Sequence, residues 1–117
     1  MANFREDKLT SRRLGASPET ADLGDVYELP ANAVAGTAES ILDALTTLGM
    51  TNPAEVTGLL FSAADATFLR TSTIGAASTG AGIGLATGER FYLPSPFAAE
   101  NEWLYEAAAE IYVAVFY

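Results

Sequence analysis

A chain of 117 residues, half of them hydrophobic, is long enough to bury one core and too apolar to be disordered throughout. It has no cysteine and no histidine, which removes disulfides, thiolate chemistry and the commonest general base and metal ligand. The net charge of −9 is unevenly spread: residues 1–13 carry four basic side chains against two acidic ones, whereas residues 14–117 carry Arg70 and Arg90 against thirteen acids.

An acidic body of this kind repels nucleic-acid phosphates and anionic lipid, so neither is an expected partner. The opening "MANFREDKLTSRR" has charges where a secretory signal needs an apolar run. No stretch approaches the roughly 18 continuous apolar residues of a membrane span. The expectation is a soluble protein made in a cytoplasm.

Residues 1–25 are polar and aperiodic apart from Phe4, Leu9, Leu14 and Leu23, and read as an extended arm ahead of one domain at 26–117. The basic end of the arm offers Phe4, Arg5, Arg12 and Arg13 to an acidic surface on a neighbour. "VYELP" (26–30) reads as a short strand closed by proline. Thr37 then opens "TAESILDALTTLGM", where Thr37 is the expected cap and Gly49 the left-handed exit. Ile41, Leu42, Leu45 and Leu48 fall at helical spacing, which predicts one short amphipathic helix across an opening of the sheets. A strand with a turn at 45–49 is the competing reading.

Past Asn52-Pro53 the grammar is that of brief strands. "EVTGLLF" (55–61) and "ATFLR" (66–70), separated by "SAAD", predict a hairpin. "TSTIGAASTGAGIGLATG" (71–88) reads as a long loop, of a length usually seen where a loop binds something or is held by a neighbour. "ERFYLP" (89–94), "WLYEA" (103–107) and "EIYVAVFY" (110–117) complete the strands. The fold expected is mainly β: a small antiparallel β-sandwich, jelly-roll-like, with one short helix and an extended N-terminal arm.

Tests for chemistry fail one by one. A dinucleotide fingerprint begun at Gly82 and Gly84 meets Thr87 in its third glycine position, and one begun at Gly80 and Gly82 meets Leu85. A phosphate loop needs a lysine, and the only one is Lys8. Glu100, Glu102, Glu106 and Glu110 form no catalytic pattern, Asp22 and Asp25 lack calcium-loop spacing, and no histidine or placed lysine activates a serine. No enzyme, cofactor or metal is expected. The alternative is a carbohydrate-binding or adhesion module of a tail or fibre, using Tyr92, Trp103 and Tyr105 beside Asn101.

The terminal strand is apolar on both faces, with Ile111, Val113, Val115 and Tyr117 on one and Tyr112, Ala114 and Phe116 on the other. Either it lies centrally in a sheet with its second face under the arm or the helix, or that face is shared with another molecule. The second solution is favoured, because 117 residues offer few elements to cover a sheet twice. The expected interface takes Tyr112, Phe116 and Tyr117 from this strand and Ile83 from the glycine-rich loop.

Several stretches carry a resemblance: "VAGTAESILDALTTLG", "AEVTGLLFSAADATFLR", "TSTIGAASTGAGIGL", "ATGERFYLP" and "WLYEAAAEIYVAVFY". Their order resembles that of small β-sandwich structural proteins of tailed bacteriophages, over about seventy per cent of the chain (residues 34–117). The resemblance implies a capsid decoration (cement) subunit, or a minor head or tail component. Its implied place is the outer capsid surface of the virion, and its implied partners are a major capsid protein and further copies of itself, as a dimer or trimer.

Overall fold

The computed structural model describes residues 23–97 and 102–117. Eight strands follow in chain order: β1 (Leu23–Leu29), β2 (Glu39–Ser40), β3 (Gly58–Ala63), β4 (Thr67–Thr71), β5 (Ile83–Leu85), β6 (Arg90–Pro94), β7 (Trp103–Ala107) and β8 (Ile111–Phe116). They form two four-stranded sheets, β1-β8-β3-β6 and β2-β7-β4-β5, and every pairing is antiparallel. β1 pairs with β8, β2 with β7, β3 with β6 and β4 with β5. A chain folded as one long antiparallel ribbon and then rolled gives this nested order, so the fold is a jelly roll.

Alternation sorts the residues of the first sheet into an inner and an outer face. Its inner rows across the strands are Leu29–Ile111–Ala63, Tyr27–Val113–Phe61–Phe91 and Val115–Leu59–Leu93. The second sheet answers with Leu69, Tyr105, Ala107 and Leu85, and together these side chains make the single buried cluster. On the open side between β1 and β2 lies the helix α1 (Ile41–Thr47), whose Ile41 and Leu45 are fully buried. Removing each such side chain from water stabilises the fold by about 1.5–3 kcal/mol.

Four sequence expectations need correction. The helix is capped by Ser40, whose Oγ accepts from the Asp43 N–H at 3.1 Å, and not by Thr37. Glu39 and Ser40 before it are drawn into a pairing with β7, so the helix loses its first turn. The expected hairpin of 55–61 with 66–70 does not form, because β3 and β4 belong to different sheets. Asp65 turns the chain there, its carboxylate accepting from the Ala66 N–H and its carbonyl from the Thr67 hydroxyl, and this tight corner crosses the sandwich. Finally, the 71–88 stretch contains β5, and β4 with β5 is the one strand pair joined within its own sheet. β1 also begins three residues inside the stretch read as an arm; residues 1–22 lie outside the described residues.

Candidate interaction surface

The two sheets present very different outer faces. On β2-β7-β4-β5 the outward row Ser40–Leu104–Arg70 includes a cation, yet Arg70 is only 1 % exposed. Its guanidinium is wrapped by the 72–82 loop. Nε donates to the Gly75 carbonyl at 2.8 Å, Nη2 to Ala76 at 2.8 Å and Nη1 to Ala81 at 3.2 Å. Nη1 also meets Glu106 Oε1 at 2.6 Å, and the same oxygen accepts from the Gly80 N–H at 3.0 Å.

Burial pushes the Glu106 carboxyl up, but the Gly80 N–H and the Arg70 guanidinium outweigh it and hold the group below its ordinary value. Gly82 lets the loop come this close: a Cβ there would sit 2.2 Å from the Leu69 carbonyl oxygen and 2.8 Å from Arg70 Cβ. What holds the glycine-rich loop is therefore the arginine at the end of β4. Beyond it, the Thr79 hydroxyl donates to the Gly36 carbonyl and the Ala38 N–H to Ala76, tying 34–38 into the same cover.

On β1-β8-β3-β6 the outward residues fall into three cross-strand rows. They are Glu28–Tyr112–Ser62–Arg90, Val26–Ala114–Leu60–Tyr92 and Leu23–Phe116–Gly58–Pro94. The first is polar. The other two contain no polar side chain except the Tyr92 hydroxyl. A solvated sheet face ordinarily carries polar residues opposite its buried ones. Here Leu23 and Val26 are 60 % and 59 % exposed and Tyr112 is 46 % exposed. Among the described residues no side-chain hydrogen bond ties a loop across this face.

The Tyr92 ring lies over Gly58, where an added Cβ would come within 3 Å of the ring, and meets Phe116 edge-on at 5.9 Å between centroids. Its hydroxyl is buried there with no hydrogen-bond partner. Such an atom is costly to desolvate, and here the chain itself already covers it.

The residues singled out from sequence are only partly brought together. Tyr112 and Phe116 share the outer face just described. Tyr117 points inward instead, partly buried against the core, with its hydroxyl donating to the Thr51 carbonyl at 3.2 Å. Ile83 stands on β5, at the edge of the other sheet and 37 % exposed. Phe4, Arg5, Arg12 and Arg13 lie outside the described residues. Leu23, Val26 and Leu60 were missed, and Tyr92 was singled out only for the glycan alternative, because their common face appears only once four strands are in register.

The glycan alternative loses a residue here. Tyr105 is fully buried, its hydroxyl donates to the Pro30 carbonyl at 2.9 Å, and its pKa is pushed up to about 12, first by burial and then by the charge of Glu39. Trp103 packs against the core, and Asn101 is outside the described residues.

An open groove of about 460 Å³ beside α1 is lined by Pro30, Ser40, Asp43 and Leu48 among others. Its one serine is engaged as the helix cap and donates to the Glu102 carboxylate. Among the described residues no three acidic side chains converge as a metal site.

These features define a jelly-roll domain with one loop-covered sheet face and one largely apolar face that is bare among the described residues. No family model, curated protein or solved structure matches the chain.

Proposed function

We propose that this chain is a non-enzymatic structural subunit of a bacteriophage virion. In its most concrete form it is a decoration (cement) protein on the outer capsid surface, attached to a major capsid protein and to copies of itself. One observation carries the reading: two of the three outward rows on β1-β8-β3-β6 hold no polar side chain but the Tyr92 hydroxyl, and at their β1 edge Leu23 and Val26 are 60 % and 59 % exposed. A face of this kind marks a contact with another protein. The likeness of residues 34–117 to small phage sandwich proteins supplies the virion context, and the basic segment 1–13 on an acidic body suits attachment to an acidic neighbour.

Leu60→Glu places a charge at the centre of the face without touching the inner rows. The variant is expected to keep its melting temperature within a few degrees, to self-associate less by light scattering, and to bind purified phage shells less well. Wild-type-like behaviour in both assays would overturn the proposal. Deleting residues 1–13 is expected to lower shell occupancy while leaving the fold intact.

A further inference from the structure

We infer that the occupant of the bare face is a second copy of this chain, packed sheet to sheet about a two-fold axis that runs parallel to the strands. This deepens the assembly reading above and rests on it. The starting point is the position of charge in the polar row. Glu28 stands on β1 at one edge of the sheet and Arg90 on β6 at the other, with Tyr112 and Ser62 between them.

Two sheets facing one another across an in-plane two-fold axis have only two simple choices. An axis perpendicular to the strands inverts position along the strand. It sets the row of Leu23, Phe116 and Pro94 against the row of Glu28 and Arg90, burying charge on apolar surface. An axis parallel to the strands keeps each row on its own counterpart and inverts the order of strands. Glu28 then meets Arg90 of the second copy, and Arg90 meets Glu28 of that copy, so the pair forms twice. In the middle row Val26 faces the second Tyr92, and Ala114 faces the second Leu60. The apolar rows stay together and both charges are neutralised.

An isologous contact must be self-complementary in this way. The strands of the two copies also come out nearly aligned, which is the common mode of sheet-on-sheet packing.

Four strands about 4.8 Å apart and three rows about 7 Å apart make a patch of roughly 400 Å² per copy. A stable interface takes about 800 Å² per partner, so this dimer is weak in free solution and gains strength where other contacts hold the copies side by side.

The test is a charge swap read by sedimentation velocity on the full chain, over a concentration series reaching the millimolar range. Glu28→Arg and Arg90→Glu each create two like-charge contacts, so each variant alone is expected to dimerise at least about tenfold more weakly than wild type. Mixed in equal amounts, the two variants restore both pairs with the signs exchanged. The mixture is therefore expected to form a heterodimer of near wild-type strength.

This rescue cannot come from a misfolded variant. If wild type self-associates and Leu60→Glu abolishes it, but the mixture gains nothing, the two-fold geometry is overturned while the assembly reading stands. If wild type stays monomeric throughout, a second copy is not the occupant; loss of shell binding by Leu60→Glu would then still support attachment to another partner.

Discussion

The two sheets solve the same problem in opposite ways. β2-β7-β4-β5 turns outward a row containing a buried cation, Arg70, and the chain spends the 72–82 loop to cover it. β1-β8-β3-β6 turns outward two apolar rows, and Leu23, Val26 and Tyr112 in and beside them remain around half exposed. A polar group under cover and apolar groups in the open invert the usual arrangement. The covered face is finished by its own fold, because a buried guanidinium needs acceptors fixed in place and the loop carbonyls supply them. The bare face has no such internal demand, since its apolar side chains are satisfied by any complementary surface.

Removing the arginine is the strongest way to break this contrast. Arg70→Ala deletes the donors to Gly75, Ala76 and Ala81 and leaves Glu106 without its cation. The expected loss is about 3–5 kcal/mol by chemical denaturation, as for other buried pairs stripped of one partner. Limited proteolysis should then cut within 72–82, a segment that wild type is expected to protect. If the variant is as stable as wild type and its loop as resistant, Arg70 does not hold the cover.

How far the sequence discloses this architecture depends on range. Short strands with glycine and proline punctuation were legible, because period-two patterns and turn residues act over a few positions. Even so, β3 and β4 looked like a hairpin: the spacing of two strands does not say whether an Asp65 corner reverses the chain in one sheet or hands it to the other. The helix was visible in Ile41 and Leu45, but its cap was not, since the claim of β7 on Glu39 and Ser40 is a long-range one. Tyr112 and Phe116 showed two apolar faces on one strand. That Leu60, Val26 and Tyr92 continue the same stripe required the registers of three pairings. Arg70 looked like the polar end of a strand, and only the wrapped loop shows what it anchors.

Acid sharpens the comparison with a smaller effect confined to the covered face. The Glu106 carboxyl is held below its ordinary value in the folded protein by Gly80 and Arg70, against the upward push of burial. Its contribution is therefore present above the ordinary carboxylate value and is lost as pH falls through the lowered folded one. The protection of the Gly80 amide against hydrogen exchange, relative to an unstructured amide at the same pH, should fall in that acid range before the core opens. Glu106→Gln keeps an acceptor and removes the charge, so it is expected to cost about 1–3 kcal/mol at neutral pH and to flatten the acid response. An unchanged acid profile in that variant would show that other carboxylates govern it.

The smallest effect is expected on the bare face, and its sign is what matters. Tyr92→Phe removes a hydroxyl that is buried without a partner, and leaves the ring over Gly58 and against Phe116. Deleting a satisfied hydroxyl normally destabilises a protein by about 1 kcal/mol, whereas deleting an unsatisfied one removes a desolvation cost. Tyr92→Phe is therefore expected to be neutral or to raise stability by up to about 1 kcal/mol, and to leave self-association no weaker than in wild type. A clear loss of stability in the isolated chain would mean that the hydroxyl has a partner within its own fold. A loss of association alone would place that partner on the neighbouring molecule and turn an apolar contact into one that also reads a hydrogen bond. The two faces respond to the loss of a polar group with opposite signs because only the covered one was built around such a group.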